Sequence, residues 1–570
     1  MNKLRPATHE VVVDRDVEAT MRDGTILRSL VYRPKAAGAF PVLLTRTPYG
    51  SDDDVSDERA MEFAERGYVA IRQDIRGRYT SDGQFTNGLI GMKHTDVEDG
   101  YDSVQWAAAL PFANGKVGSW GISYDGWTSW PMAASQPPAL VAITTAGIVI
   151  DSRDRDLSGI WRIVTQLNGQ AGIAAQIRKD VGDHDGPVGV AELDKYQNEL
   201  FHNYLWYLPL TELPKWLHGR QTPHMRAYLR NIAGKNHYDR SFHEDVAVPC
   251  LHMSGWYDIH LMCYKRFIDM KKVAATKHAR ENQKLILGPW RHNTMIMDRV
   301  EGDLDFGPQA DGSYTEILCR WYDHWIKGID NGIMQEAPVK LFLMGANTWL
   351  DAQDFPVPGT TNAAYYLHGA GAAHTPKGDG TLDRTPPGEE PSDSYDYDPR
   401  NPVPSLLNAI KQPTPRDQGL LDHRRDILVY LSKPLEHDLD VVGIPRAVLH
   451  VASSAPDTDF FVKLIDVYPD GRAINVSMGV VRARHRHGLE NPKLLTPGAP
   501  VEIDIEMLPT ANRFFAGHRI RVAVTSSDFP DFDRNHNTGG SDYEEAVLDT
   551  ARNTLFHDAE RPSRIELPVL

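Results

Sequence analysis

Three residues carry the chemistry to be tested: Ser123, Asp258 and His292. Ser123 lies in the stretch GSWGISYDGW, with Gly121 two residues before it and Gly126 three after. A serine hydroxyl is a weak nucleophile at neutral pH. It needs a base within hydrogen-bond reach, a group that orients the base, and donors for the oxyanion that forms. A strand, a glycine-bracketed bend and a helix would push such a side chain out of the backbone into a site. In that arrangement the partners follow in the order Ser, Asp or Glu, His. Asp258 and His292 fit this order. His292 would take the proton from Ser123, and Asp258 would hold the imidazole tautomer and stabilise the imidazolium. One oxyanion donor is expected from the backbone N–H of Tyr124. The other is expected from the loop TRTPYG, where Pro48 has no N–H to give. The Tyr49 hydroxyl can serve instead, because an ordinary phenol is protonated at neutral pH.

These residues need strands to hold them. HEVVVDRDVEATMRDGTILRSLVYRP predicts a strand meander with a tight turn at Asp23–Gly24. FPVLLTRT, YVAIRQD, GKVGSWG and LVAITTAGIV read as buried strands, and DERAMEFAERG, DVEDGYDSVQWAAAL and WTSWPMAAS as helices between them. Such alternation implies a parallel sheet covered on both faces. Asp258 follows the strand CLHMSGW and His292 the strand KLILGPW, so both fall at carboxyl ends, where open α/β sheets place their sites. The expected fold is an α/β-hydrolase core over residues 1–150 and 244–353. A helical cap is expected at 151–243, where no buried strand is visible. Past residue 354, Pro and Gly cluster and short strand candidates recur between turns, which predicts an all-β jelly roll over 354–570.

Composition narrows the function. The chain has 570 residues, of which 77 are acidic and 61 basic, for a formal net charge of −16. That balance argues against nucleic acid as a partner and against attraction to anionic membranes. Three cysteines, Cys250, Cys263 and Cys319, form no CxxC pair, so neither a disulfide framework nor a zinc knuckle is expected. The segment DVGDHDG lacks the spacing and terminal Glu of a calcium loop and is taken as a solvated loop. The acidic run SDDDVSDE is expected to begin a helix, where negative charge suits the N-terminus. No metal and no cofactor are called for. The first residues lack an apolar signal core and no apolar run spans a membrane, so a cytoplasmic location is expected.

The segments TPYG, QDIRGRYTSDGQF, DGYDSVQWAAALPFANGKVGSWGISYDG, SGWYD and LGPWRHN resemble the CocE/NonD serine hydrolases, the family of cocaine esterase and Xaa-Pro dipeptidyl peptidases. DILVYLSKPLEHDLDVVG and SSDFPDFDRNHNTGG resemble the jelly-roll domain of the same enzymes. The resemblance implies the Ser123–Asp258–His292 triad and a Tyr49–Tyr124 oxyanion hole. The α-amino-ester hydrolases of this family carry acids soon after the triad Asp. Here Ile259, His260 and Leu261 stand there, which disfavours a cationic α-amino substrate. His260 occupies a position that lines the acyl pocket in similar esterases. Trp127 and Trp161 are candidate apolar walls for an acyl or aromatic group. The expected activity is hydrolysis of a small-molecule ester, with acyl amides as a second substrate class, by an acyl-enzyme route. The alternatives are an Xaa-Pro dipeptidyl-peptidase-type or cephalosporin-acylase-type amide hydrolase and, from another class, a non-catalytic carbohydrate-binding protein. The oligomeric state is left open by the sequence, although the large β domain offers surface for a homodimer.

Overall fold

The computed structural model describes residues 4–51, 54–90, 95–149, 151–234, 242–292, 297–407 and 412–570. Ile150 at the expected boundary, Asp52 and Asp53 of the acidic run, and Asn293 beyond the histidine lie outside them. The first part of the chain builds a ten-stranded sheet. Its strands are β1 (Val11–Thr20), β2 (Ile26–Pro34), β3 (Phe40–Thr47), β4 (Val69–Asp74) and β5 (Ala113–Ser119). They continue with β6 (Leu140–Ala146), β7 (Cys250–Tyr257), β8 (Gln283–Arg291), β9 (Val339–Leu343) and β10 (Thr348–Ala352). Their spatial order is β1-β2-β4-β3-β5-β6-β7-β8-β9-β10. From β4 to β9 every neighbouring pair is parallel, and antiparallel strands flank that block on both sides. Every residue of β4 and of β7 is buried, as expected for parallel strands covered on both faces.

The helices α1 (Asp54–Ala64), α2 (Asp96–Ala108) and α3 (Tyr124–Ala134) lie between the early strands. Between β6 and β7 the described residues hold helices and turns but no strand. The longest are α4 (Ile163–Val181), which ends on the left-handed Gly182, and α5 (Thr222–Arg230). Two further helices pack on this half of the sheet, α6 (Tyr264–Val273) against β7 and β8 and α7 (Tyr314–Trp325) against β6. The Ser313 hydroxyl caps α7 by accepting the Glu316 N–H at 3.2 Å.

Beyond β10 the chain forms a second, thirteen-stranded sheet system with its own apolar core, including Leu428, Phe460, Leu464, Phe514, Val522 and Leu567. The fold is therefore an α/β hydrolase with a helical insertion and a β-rich C-terminal portion. The insertion is not isolated from that portion. Phe529 and Tyr543 pack into the same apolar cluster as Trp161, Leu167, Leu217 and Leu229. Among the described residues no helix is long and apolar enough to cross a membrane.

Candidate active site

Ser123 is the last residue of the short connection between β5 and α3, on a bend with φ 59° and ψ −130°. That conformation is costly for a residue with a Cβ and clusters at functional sites. Neighbouring backbone holds it there. Its N–H donates to the Ala146 carbonyl at the end of β6 (3.0 Å), and its carbonyl accepts the Trp127 N–H (2.9 Å). Gly121 is required by close approach, because a Cβ there would lie 2.7 Å from the Asp125 backbone.

Asp258 and His292 follow β7 and β8, adjacent parallel strands, so their loops open at the same end of the sheet. His292 Nδ1 lies 2.8 Å from Asp258 Oδ1. An ionised carboxylate only accepts, so Nδ1 carries the proton, and in the neutral tautomer this leaves Nε2 as the acceptor. The same Oδ1 also accepts the His260 N–H at 2.8 Å. Burial pushes the Asp258 pKa up, but the His292 ring and these hydrogen bonds outweigh it, and the carboxyl ends below its ordinary value. One position that the sequence reading passed over joins the two halves. Gly147 follows Ala146, the partner of Ser123. A Cβ on Gly147 would meet Asp258 Oδ2 at 2.7 Å and His292 Nδ1 at 3.3 Å. The only sequence signal was a glycine directly after a buried strand.

Tyr49 and Tyr124 meet at Ser123. The Tyr49 hydroxyl hydrogen-bonds with the Ser123 side chain and with the Tyr124 backbone N–H. Tyr49 is 43% exposed as a residue, yet its hydroxyl is the end that faces inward. Burial first, and then the Asp125 carboxylate, pushes its pKa up to about 12, so the group stays an O–H donor across the neutral range. The Tyr124 side chain plays a different part. It is buried, and its hydroxyl accepts the Gly88 N–H at 3.1 Å, which fixes the first turn of α3.

The expected pocket residues divide. His260 is brought to the site, with its ring centroid 5.2 Å from that of His292. Burial and the facing His292 hold its imidazole well below the ordinary histidine pKa, so it is a neutral neighbour. The two tryptophans are not set as open walls. Trp127 is 2% exposed and packs edge-on against Tyr124, with ring centroids 5.2 Å apart. Trp161 is fully buried in the core shared by the insertion and the C-terminal sheets. Both rings have been spent on packing, which leaves them almost no face for a ligand.

A contact from outside also reaches the loop that carries Asp258 and His260. Arg162, just before α4, donates to the Ile259 carbonyl at 3.4 Å and pairs with Asp531 of the C-terminal portion at 3.4 Å. Among the described residues, His536, Asp542 and Glu545 could together approach a metal ion. They belong to the C-terminal portion, and Asp542 is already paired with Arg482 at 2.9 Å.

The comparisons with known proteins fall on this framework. The model of the X-Pro dipeptidyl-peptidase (S15 family) matches residues 23–294, a stretch that contains Ser123, Asp258 and His292. The X-Pro dipeptidyl-peptidase C-terminal non-catalytic domain matches residues 331–566. Cocaine esterase of Rhodococcus sp. (strain MB1 Bresler) is 34% identical, over 98% of this chain and 98% of its own. This chain belongs to the cocaine esterase and X-Pro dipeptidyl-peptidase family of serine hydrolases. An aminopeptidase from a marine sediment Thaumarchaeota archaeon shares this serine hydrolase's fold, with a TM-score of 0.80 at 24% identity over 100% of this chain and 98% of that one. An α-amino acid ester hydrolase does so with a TM-score of 0.78 at 24% identity, over 99% and 97% of the two chains.

Proposed function

We propose that this serine hydrolase cleaves carboxylic esters through an acyl-enzyme, with Ser123 as nucleophile, His292 as base and Asp258 as its orienting partner. The observation that carries the reading is the Asp258–His292 contact of 2.8 Å, formed at the sheet end where the strained Ser123 is held. His292 Nε2 accepts the Ser123 proton as Oγ bonds to the ester carbonyl carbon. The carbonyl oxygen takes up the displaced electron pair, and the Tyr49 O–H and Tyr124 N–H donate to it. Collapse breaks the bond to the leaving alkoxide, which takes the proton from Nε2. Water then repeats the sequence. It gives a proton to Nε2, attacks the acyl carbon, and releases the acid as Ser123 recovers its proton.

The similarity to the Rhodococcus cocaine esterase supports an ester as substrate. Turnover of p-nitrophenyl acyl esters without release from a Gly-Pro anilide is the expected result of a substrate panel. Efficient anilide cleavage with poor ester turnover would overturn the ester reading and favour the peptidase branch. Tyr49→Phe tests the oxyanion hole. Loss of one such donor costs about 2.7–4 kcal/mol, a hundred- to thousandfold in kcat. The drop should be the same from pH 6 to 9, because the phenol is un-ionised over that range. Unchanged kcat in Tyr49→Phe would remove the hydroxyl from the mechanism.

A further inference from the structure

A cavity of about 230 Å³ lies at the opposite end of the same sheet, against the amino ends of β7, β8 and β9. Leu251, Ile317, Ile333 and Trp349 give it apolar walls. Its polar lining is cationic in balance. Lys284, Arg320 and Lys340 face a single carboxylate, Glu336, in a chain whose net charge is −16. Glu336 is shared between Arg320 and Lys340, the latter at 3.4 Å, and Lys340 also reaches Asp351 at 3.2 Å.

Lys284 is the unusual group. It is 6% exposed, and among the described residues no carboxylate lies within ion-pair distance of its ammonium. That ammonium donates to the backbone carbonyls of Glu336 and Ala337, at 2.9 and 3.1 Å, and has a third N–H. Burial is the largest influence on it. Lys340 and Arg320 add to burial, Glu336 and Asp351 oppose it, and the pKa falls to about 8. An ammonium in that condition is under-compensated, and an anion beside it would raise its pKa.

We propose that this cavity is a second binding site, for an apolar monocarboxylate. The carboxylate would sit at Lys284 and Arg320, and the hydrocarbon group would fill the space between Ile317, Ile333 and Trp349. An engineered apolar cavity of about 150 Å³ takes up benzene, so the space suffices for a short alkyl or aromatic group. The site is remote from catalysis. Lys284 and His292 are eight residue steps apart along β8 and its end, about 26 Å at 3.3 Å per step. Such an acid is the chemical class that ester cleavage releases, although the site would equally take a free acid from elsewhere. The inference does not depend on the ester reading.

The test is calorimetry with hexanoate on enzyme whose active serine has first been capped with a fluorophosphonate, which occupies the catalytic pocket. Binding should persist in the capped enzyme. It should weaken at least tenfold for hexanamide, for Lys284→Met, and for Ile317→Phe, which narrows the cavity and keeps the cations. At pH 8.5 binding should draw in protons as the Lys284 pKa rises, seen as a heat that depends on the buffer and disappears in Lys284→Met. Uncapped Lys284→Met should retain ester turnover. If that variant fails to fold, Ile317→Phe and the buffer-dependent heat decide. Equal affinity in Ile317→Phe, loss of binding on capping, or no binding at all would each overturn the proposal.

Discussion

Ser123→Ala is expected to lower ester turnover by about a millionfold and to abolish fluorophosphonate labelling, with the fold intact. The size follows from serine hydrolases in which the nucleophile alone has been removed, where the triad acts as a unit. Alanine suits this position because of the backbone. At φ 59° and ψ −130° the strain comes from the Cβ, which alanine keeps. The Ser123 N–H to Ala146 and the Trp127 N–H to Ser123 are main-chain bonds and survive the change. Only Oγ is deleted, together with its contact to Tyr49. The Tyr49 and Tyr124 donors remain, so the variant should still run about a thousand- to ten thousandfold faster than water alone. Turnover near wild type with labelling retained would place the nucleophile elsewhere.

The strand-end positions of the candidate site were legible in the sequence because the parallel strands are buried on both faces. CLHMSGWY and KLILGPW are apolar runs whose ends are visible as polar residues, so Asp258 and His292 could be placed at strand ends without knowing the strand order. The C-terminal sheets were less readable. Asp393–Tyr397 (DSYDY) and Thr510–Phe514 (TANRF) are strands, but neither carries a local apolar pattern. The first is built by pairing with Ala551–Phe556, far along the chain. The Asp23–Gly24 turn was placed correctly: the Gly24 N–H donates to the Met21 carbonyl and the Met21 N–H to the Thr25 carbonyl, each at 2.8 Å, which closes a tight hairpin between β1 and β2.

Pocket lining was the least legible property. A tryptophan has apolar surface whether it packs or binds, and sequence gives no side for the ring. Spacing did hold one clue. Tyr124 and Trp127 are three apart in the first turn of α3 and so share a face. A ring that props Tyr124 from beneath is not free to bound a substrate. The Arg162–Asp531 pair could not have been found from local pattern, since its members come from different portions of the chain.

Asp258→Asn should cost about a hundred- to a thousandfold in kcat, less than the ten thousandfold known for the equivalent change where the histidine tautomer is lost. The difference rests on one oxygen. Asp258 Oδ1 accepts both the His292 Nδ1–H and the His260 N–H, each at 2.8 Å. An asparagine amide with its oxygen in that place keeps both bonds and the productive tautomer. The flipped amide would set its NH2 against the His260 N–H, donor against donor. The retained orientation sends the NH2 to the Oδ2 position, which is buried and has no hydrogen-bond partner among the described residues. An unmet donor there costs about 1–3 kcal/mol, so some stability is lost as well. What catalysis loses is the negative charge that stabilises the imidazolium, and a bond to a charged acceptor is worth more than one to a neutral amide. Asp258→Ala removes the acceptor altogether and should be the slower enzyme of the two. A loss of ten thousandfold in Asp258→Asn, equal to that in Asp258→Ala, would mean that the His260 N–H does not select the amide orientation. Wild-type kcat in both would exclude Asp258 from the mechanism.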